Sequence, residues 1–80
     1  MTLNDLLRWR HQNAPRVLKF IKQHREVAGV HYMVAEDGSA YIEFVIKPWG
    51  DLDLLVSEVN LAFPDVECRV SEPDDDLFEI

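Results

Sequence analysis

Two runs of strand-forming residues stand on either side of a short turn, and that turn leaves the chain little choice of register. Val30-His31-Tyr32-Met33-Val34 comes before Glu36-Asp37-Gly38, and Ala40-Tyr41-Ile42-Glu43-Phe44-Val45-Ile46 comes after it. β-Branched and aromatic runs joined through an Asp-Gly pair are the sequence mark of a β-hairpin. A two-residue loop at Asp37-Gly38 would pair Val34 with Tyr41 and set Met33 opposite Ile42. A three-residue loop, Glu36 to Gly38, pairs Val34 with Ala40, Tyr32 with Ile42 and Val30 with Phe44. The second choice gathers the even-numbered apolar residues on one face. It also puts Gly38 at the left-handed position that closes a bulged turn. Because a slip of one residue turns every side chain over, the three-residue loop is expected.

Helical patterns flank the hairpin. Thr2 and Asp5 resemble a capping box, and Leu3, Leu6, Leu7 and Arg10 follow at helical spacing. Asn13-Ala14-Pro15 interrupts that run. Asn caps well and proline suits a first helical turn, so a break near residue 13 and a second helix from Pro15 to Arg25 are predicted. Its apolar stripe would be Val17, Leu18, Phe20, Ile21 and His24. One helix kinked at Pro15 is the close alternative. After Lys47-Pro48-Trp49-Gly50, Asp51 or Gly50 caps another helix, with Leu52, Leu55, Val56, Val59 and Phe63 on one face and Pro64 as its stop. Asp65 to Ser71 then alternates with period two, with Val66, Cys68 and Val70 inward and Glu67 and Arg69 outward.

The expected class is therefore α+β in the order α(α)ββαβ. The helix between the last two strands implies a right-handed crossover between parallel strands. With the first strand between them, the sheet runs in the order 2-1-3, the half of a split-βαβ or ferredoxin-like fold. All helices pack on the even-numbered face. His31, Met33, Tyr41, Glu43, Val45, Lys47, Glu67 and Arg69 remain on the odd-numbered face, with no segment long enough to cover them fully. The 80 residues make one domain, residues 1–72, followed by an acidic and then apolar tail, residues 73–80. A domain of this size buries only roughly 60–65% of the surface its unfolded chain exposes. Cys68 is the single cysteine, so the chain holds no internal disulfide. No secretory signal or membrane-spanning run is legible, and a cytoplasmic protein is expected.

Charge divides the chain. Residues 1–25 carry six cations (Arg8, Arg10, Arg16, Lys19, Lys22 and Arg25) against Asp5 alone, a balance of +5. Residues 26–80 carry Lys47 and Arg69 against fourteen acids, a balance of −12, which gives the net charge of −7. An acidic surface repels phosphates and favours basic partners. The basic stretch around Trp9 could touch nucleic acid, with Trp9 stacking on a base. The net charge argues against a simple phosphate binder.

The residues offer little for catalysis. Gly38-Ser39 followed by Asp51-Leu52-Asp53 resembles the nucleotidyltransferase pattern, which would imply a Gly-Ser turn on phosphates and an Asp-x-Asp on Mg²⁺. The resemblance covers four residues. Read from the residues themselves, Gly38 is a hairpin glycine and the aspartates favour a helix N-terminus. The spacing of His11, His24 and His31 fits no metal motif, so no metal or cofactor is expected. Cys68, mid-strand on the inward side, reads as a small core hydrophobe. In the tail, Asp76-Leu77-Phe78 resembles part of the short motifs that bind the bacterial sliding clamp, without their leading glutamine. A frayed terminus kept soluble by its charge is a second reading, and a short edge strand formed by Leu77, Phe78 and Ile80 folding back is a third.

Together these features point to a small, acidic, non-enzymatic module that binds a protein with a basic surface and acts by occlusion. Inhibitors, immunity proteins, antitoxins, anti-CRISPR proteins and nucleic-acid mimics work in this way. The expected contact residues are Asp51, Asp53, Asp74, Asp75, Asp76 and Phe78, then Tyr41, Met33 and Trp49. A homodimer through the odd-numbered face or a free strand edge is compatible with this reading. A nucleic-acid-binding module using the basic helices is the alternative, and a divergent Mg²⁺-dependent nucleotidyltransferase the second.

Overall fold

Thr2 accepts from the backbone N–H of Asp5, and the Asp5 carboxylate accepts from the N–H of Thr2, so the capping box closes as the sequence reads. From it α1 runs unbroken over Leu3–Gln23. The computed structural model describes residues 2–73 of the chain. The expected break at residue 13 is absent, and Pro15 lies inside the helix. Proline costs the turn one hydrogen bond, the one from residue 15 back to His11. Asn13 instead braces the turn just before the proline. Its buried side chain donates to the Trp9 carbonyl at 2.8 Å and accepts from Arg16 at 3.4 Å. Asn13 is thus a support within the helix rather than a cap at its start. The two halves also share one buried face, because Trp9, Asn13, Val17 and Phe20 recur at helical spacing. Leu18, expected in the stripe, is 58% exposed on the flank.

The hairpin follows. β1, Val27–Val34, and β2, Ala40–Ile46, pair antiparallel with Val30 opposite Phe44, Tyr32 opposite Ile42 and Val34 opposite Ala40. This is the register of the three-residue loop. Gly38 has φ of +88°, its N–H donates to Ala35, and Ala35 donates to Ser39 at 2.7 Å. The Asp37 carboxylate accepts from both the N–H and the hydroxyl of Ser39 and braces the turn. Next, α2 spans Leu52–Ala62, capped by Asp51, whose side chain accepts from the Leu54 N–H at 3.2 Å. Leu55, Val59 and Phe63 point into the core, while Val56, expected beside them, lies at the exposed margin. β3, Cys68–Ser71, completes the sheet.

Strand order corrects the sequence expectation. The sheet is three-stranded and mixed, in the order β1-β2-β3, with β3 parallel to β2 and not beside β1. β2 is central, and the antiparallel sheet in the order 2-1-3 is not formed. The physical reason lies in burial. Ile42, Phe44 and Ile46 are almost wholly enclosed, whereas the even-numbered residues of β1 are only partly covered. The strand with the heavier apolar load takes the centre, where helices lie above it and strands on both sides. A short crossover through α2 then sets β3 directly against β2, and the Ile42 N–H donates to Glu67 at 3.0 Å.

One cluster holds the layers together. Val17 and Phe20 from α1, Val27 from β1, Ile42, Phe44 and Ile46 from β2, and Leu55, Val59 and Phe63 around α2 form the core. Phe20 lies 5.3 Å from Phe44 and 5.6 Å from Phe63, centroid to centroid, at tilted and edge-on angles that aromatic rings favour. Arg16 fastens α1 to the end of α2. Its guanidinium donates to both oxygens of Asp65, at 3.1 and 2.8 Å, and to the Ala62 carbonyl.

Candidate protein-binding surface

Because every helix packs on the even-numbered side, the odd-numbered side chains of the strands beyond the Val27–Gly29 irregularity stand on a face that no other described residue roofs, while Val27 itself is buried in the core. The ladders fix which of them are neighbours. Met33 is opposite Tyr41, His31 is opposite Glu43, and Glu43 is opposite Arg69 on the far strand. A row His31–Glu43–Arg69 therefore crosses the sheet beside the pair Met33–Tyr41. The Arg69 guanidinium lies over the Tyr41 ring, 3.9 Å from its centre. Arg69 also reaches Glu67 on its own strand at 3.6 Å. Such a cation–π contact at a partly wet site stabilises by about 0.5–1 kcal/mol. Its geometric effect matters more here. It fixes a long side chain beside Tyr41 on the open face. Val34, Ala35, Glu36, Asp37, Tyr41 and Arg69 line a shallow hollow beside this platform.

The sequence-named contact residues divide into two groups. Met33, 39% exposed, and Tyr41 touch the platform just described. Trp49, Asp51 and Asp53 lie at the other end of β2, about 17 Å away at ~3.3 Å per residue from Tyr41 to Ile46. Trp49 does not seal the core. It is 67% exposed, with the Lys47 ammonium 5.6 Å from its ring centre. Asp51 is committed to capping α2, and Asp53 is exposed in the first helical turn, where its charge favours the helix dipole. Asp74, Asp75, Asp76 and Phe78 lie outside the described residues. Met33 and Tyr41 thus join in one patch, and the remaining described three form another.

Arg69 was the missed member. Its odd position placed it on the open face, but its contact with Tyr41 depends on β3 lying beside β2. With β1 in the centre, Arg69 would neighbour β1 instead. The signal that could have found it was the near-unbroken run of strand formers in β2, which marks the central strand.

No family model, curated protein or solved structure matches this chain.

The other motifs are distributed over the fold. Gly38-Ser39 precedes β2 and Asp51-Leu52-Asp53 follows it, so the two halves of the nucleotidyltransferase-like pattern stand at opposite ends of a seven-residue strand. Ser39 opens a strand, and Asp51 is bound to its helix. Among the described residues no group of three or more His, Cys, Asp or Glu is placed to hold a metal ion. His24 stacks on Phe20 at 4.1 Å and bonds Glu26 at 3.1 Å, while His11 and His31 are exposed. Cys68 packs against the core, and burial pushes its thiol up to about 11, which keeps it protonated and poorly nucleophilic at neutral pH. In the basic helix, Arg10 lies 5.1 Å from the Tyr32 ring centre, Arg16 is held by Asp65, and Trp9 packs edge-on against Tyr32 at 5.9 Å. No helix among the described residues is long and apolar enough to cross a membrane.

Proposed function

We propose that this domain is a non-enzymatic protein-binding module that acts by covering a partner's surface with the open face of its sheet. One observation carries the reading: a sheet with helices on one side only, whose bare side presents Met33, Tyr41 and Arg69 side by side. Tyrosine and arginine are the residue types most often found at the energetic centre of an interface, because they bring area, rigidity and directed donors together. The acid excess of residues 26–80 supports a partner with a basic surface, and the fields of the two would speed their encounter. Inhibitors, immunity proteins, antitoxins, anti-CRISPR proteins and nucleic-acid mimics share this mode of action. Binding of nucleic acid through α1 is the competing reading. It has two fewer free cations than the sequence suggests, because Arg10 and Arg16 are engaged within the fold.

The test begins with capture of partners from the native host by the full chain. The purified partner is then titrated against Tyr41→Ala, Met33→Asp and Arg69→Ala. Loss of at least about tenfold in affinity for Tyr41→Ala, about 1.4 kcal/mol, is expected, in a variant that still folds cooperatively but melts a few degrees lower. Full affinity in all three variants would exclude this face. Tight, salt-sensitive retention on heparin, weakened by Lys19→Glu and Lys22→Glu, would favour the nucleic-acid reading instead.

A further inference from the structure

We propose that two copies of this chain join edge to edge through β1, antiparallel about a two-fold axis. The outer strand β1 is eight residues long, and among the described residues its far side has no neighbour in the sheet. The direction of its free peptide groups follows from the ladder. Ala35 donates to Ser39 at one end of the hairpin, and Lys47 donates to Glu26 at the other. The odd-numbered residues of β2 are therefore the ones that bond β1. Their partners Met33, His31 and Gly29 spend their backbone groups inward. The N–H and C=O groups of Val30, Tyr32 and Val34 then point outward as a ready ladder.

Edge strands of soluble proteins usually carry a block: a lysine, a proline, an inward charge or a strong bulge. Val27 to Val34 contains no proline and no Lys, Arg, Asp or Glu, and its one irregularity, between Val27 and Gly29, is at the very start. The flank of α1 above this edge carries exposed leucines, with Arg10 beside them over the Tyr32 ring. Arg16 marks the side of α1 that meets α2, and Leu7 and Leu18 lie roughly opposite it around the helix at 100° per residue. Leu3, Leu7 and Leu18 are 71%, 52% and 58% exposed. A neighbour paired on β1 would bring its own α1 alongside and cover them.

Charge selects a second copy in antiparallel orientation as the occupant. Lys22, Arg25 and Glu26 stand just before β1, a net positive end in which Glu26 is held by His24, and Glu36 and Asp37 stand just after it. Antiparallel pairing sets the basic end of each strand against the acidic end of the other, twice over. Parallel pairing would set like against like. A two-fold axis also closes the assembly, whereas β1 pairing with a neighbour's β3 would grow a filament. The joined sheet would leave both Met33–Tyr41–Arg69 platforms uncovered, so dimerisation and partner binding are independent.

Sedimentation equilibrium of the full chain, over about 1 to 100 μM, reads the mass directly against the 9.3 kDa monomer. Twice that mass is expected. Val34→Lys, which puts a charge on the edge, should raise the dissociation constant at least about tenfold, while Val34→Thr should not. Arg25→Glu and Glu36→Lys should each weaken the dimer, and the two together should restore it. Circular dichroism confirms that each variant is folded. A monomer throughout the range would overturn the proposal. So would a dimer indifferent to Val34→Lys, or a double charge reversal weaker than either single one.

Discussion

A Cβ on Gly50 would sit 2.6 Å from Cγ1 and 2.8 Å from Cδ1 of Ile46, with the Glu26 Cβ at 3.1 Å. Ile46 is buried and cannot swing aside, so the bend after β2 requires glycine for space. Gly50→Ala is expected to cost about 1–3 kcal/mol, the usual penalty for overpacking, read as a lowered denaturation midpoint with an unchanged slope. Cys68 gives a second residue-scale expectation. Burial raises its thiol from 9.0 to about 11. Below the lower value both folded and unfolded chains hold the proton, and stability is unaffected. Between the two values the unfolded chain releases it while the folded chain keeps it, so stability falls as pH rises. Melting temperatures from about pH 8 upward should therefore decline more steeply in the wild type than in Cys68→Ala. Parallel curves would show that the thiol is not buried in solution.

Among the elements, α1 carries the clearest internal cost. Proline within a helix forfeits a hydrogen bond and crowds the carbonyl one turn back. Pro15→Ala should therefore stabilise the domain, by about 1–3 kcal/mol, seen as a melting temperature several degrees higher. An unchanged value would mean that the helix accommodates the ring at no net cost. Local signals of this kind were mostly legible beforehand. Thr2 with Asp5, Asp37 with Gly38, and Asp51 each act through neighbours within three residues, and each stands where its pattern puts it. The helix through Pro15 was not legible as one piece, because its continuity rests on burial of both halves against strands distant in sequence. Strand order was illegible for a related reason. The same right-handed crossover fits β3 beside β1 or beside β2, and the choice follows from which strand needs more cover. That choice also decided whether Arg69 would meet Tyr41, so the candidate site was half visible.

For the whole molecule, the long-range ties are few and specific. Arg16 and Asp65 are 49 residues apart, and Phe20 reaches Phe63 across nearly the same separation. The hairpin, by contrast, closes through a three-residue loop, and α2 joins adjacent strands. During synthesis, which proceeds at about 5–20 residues per second, the first helix leaves the ribosome seconds before Phe63 and Asp65 exist. Its apolar side stays open until the hairpin brings Tyr32 and Phe44 to it, and is closed only when Phe63 and Asp65 follow. Nascent chains with only residues 1–60 outside the ribosome should then leave α1 open to protease, and chains with β3 also outside should protect it. Early protection of α1 would reverse that order. A cell making this protein thus carries, for a moment in every copy, a cationic amphipathic helix with nothing yet to lean on.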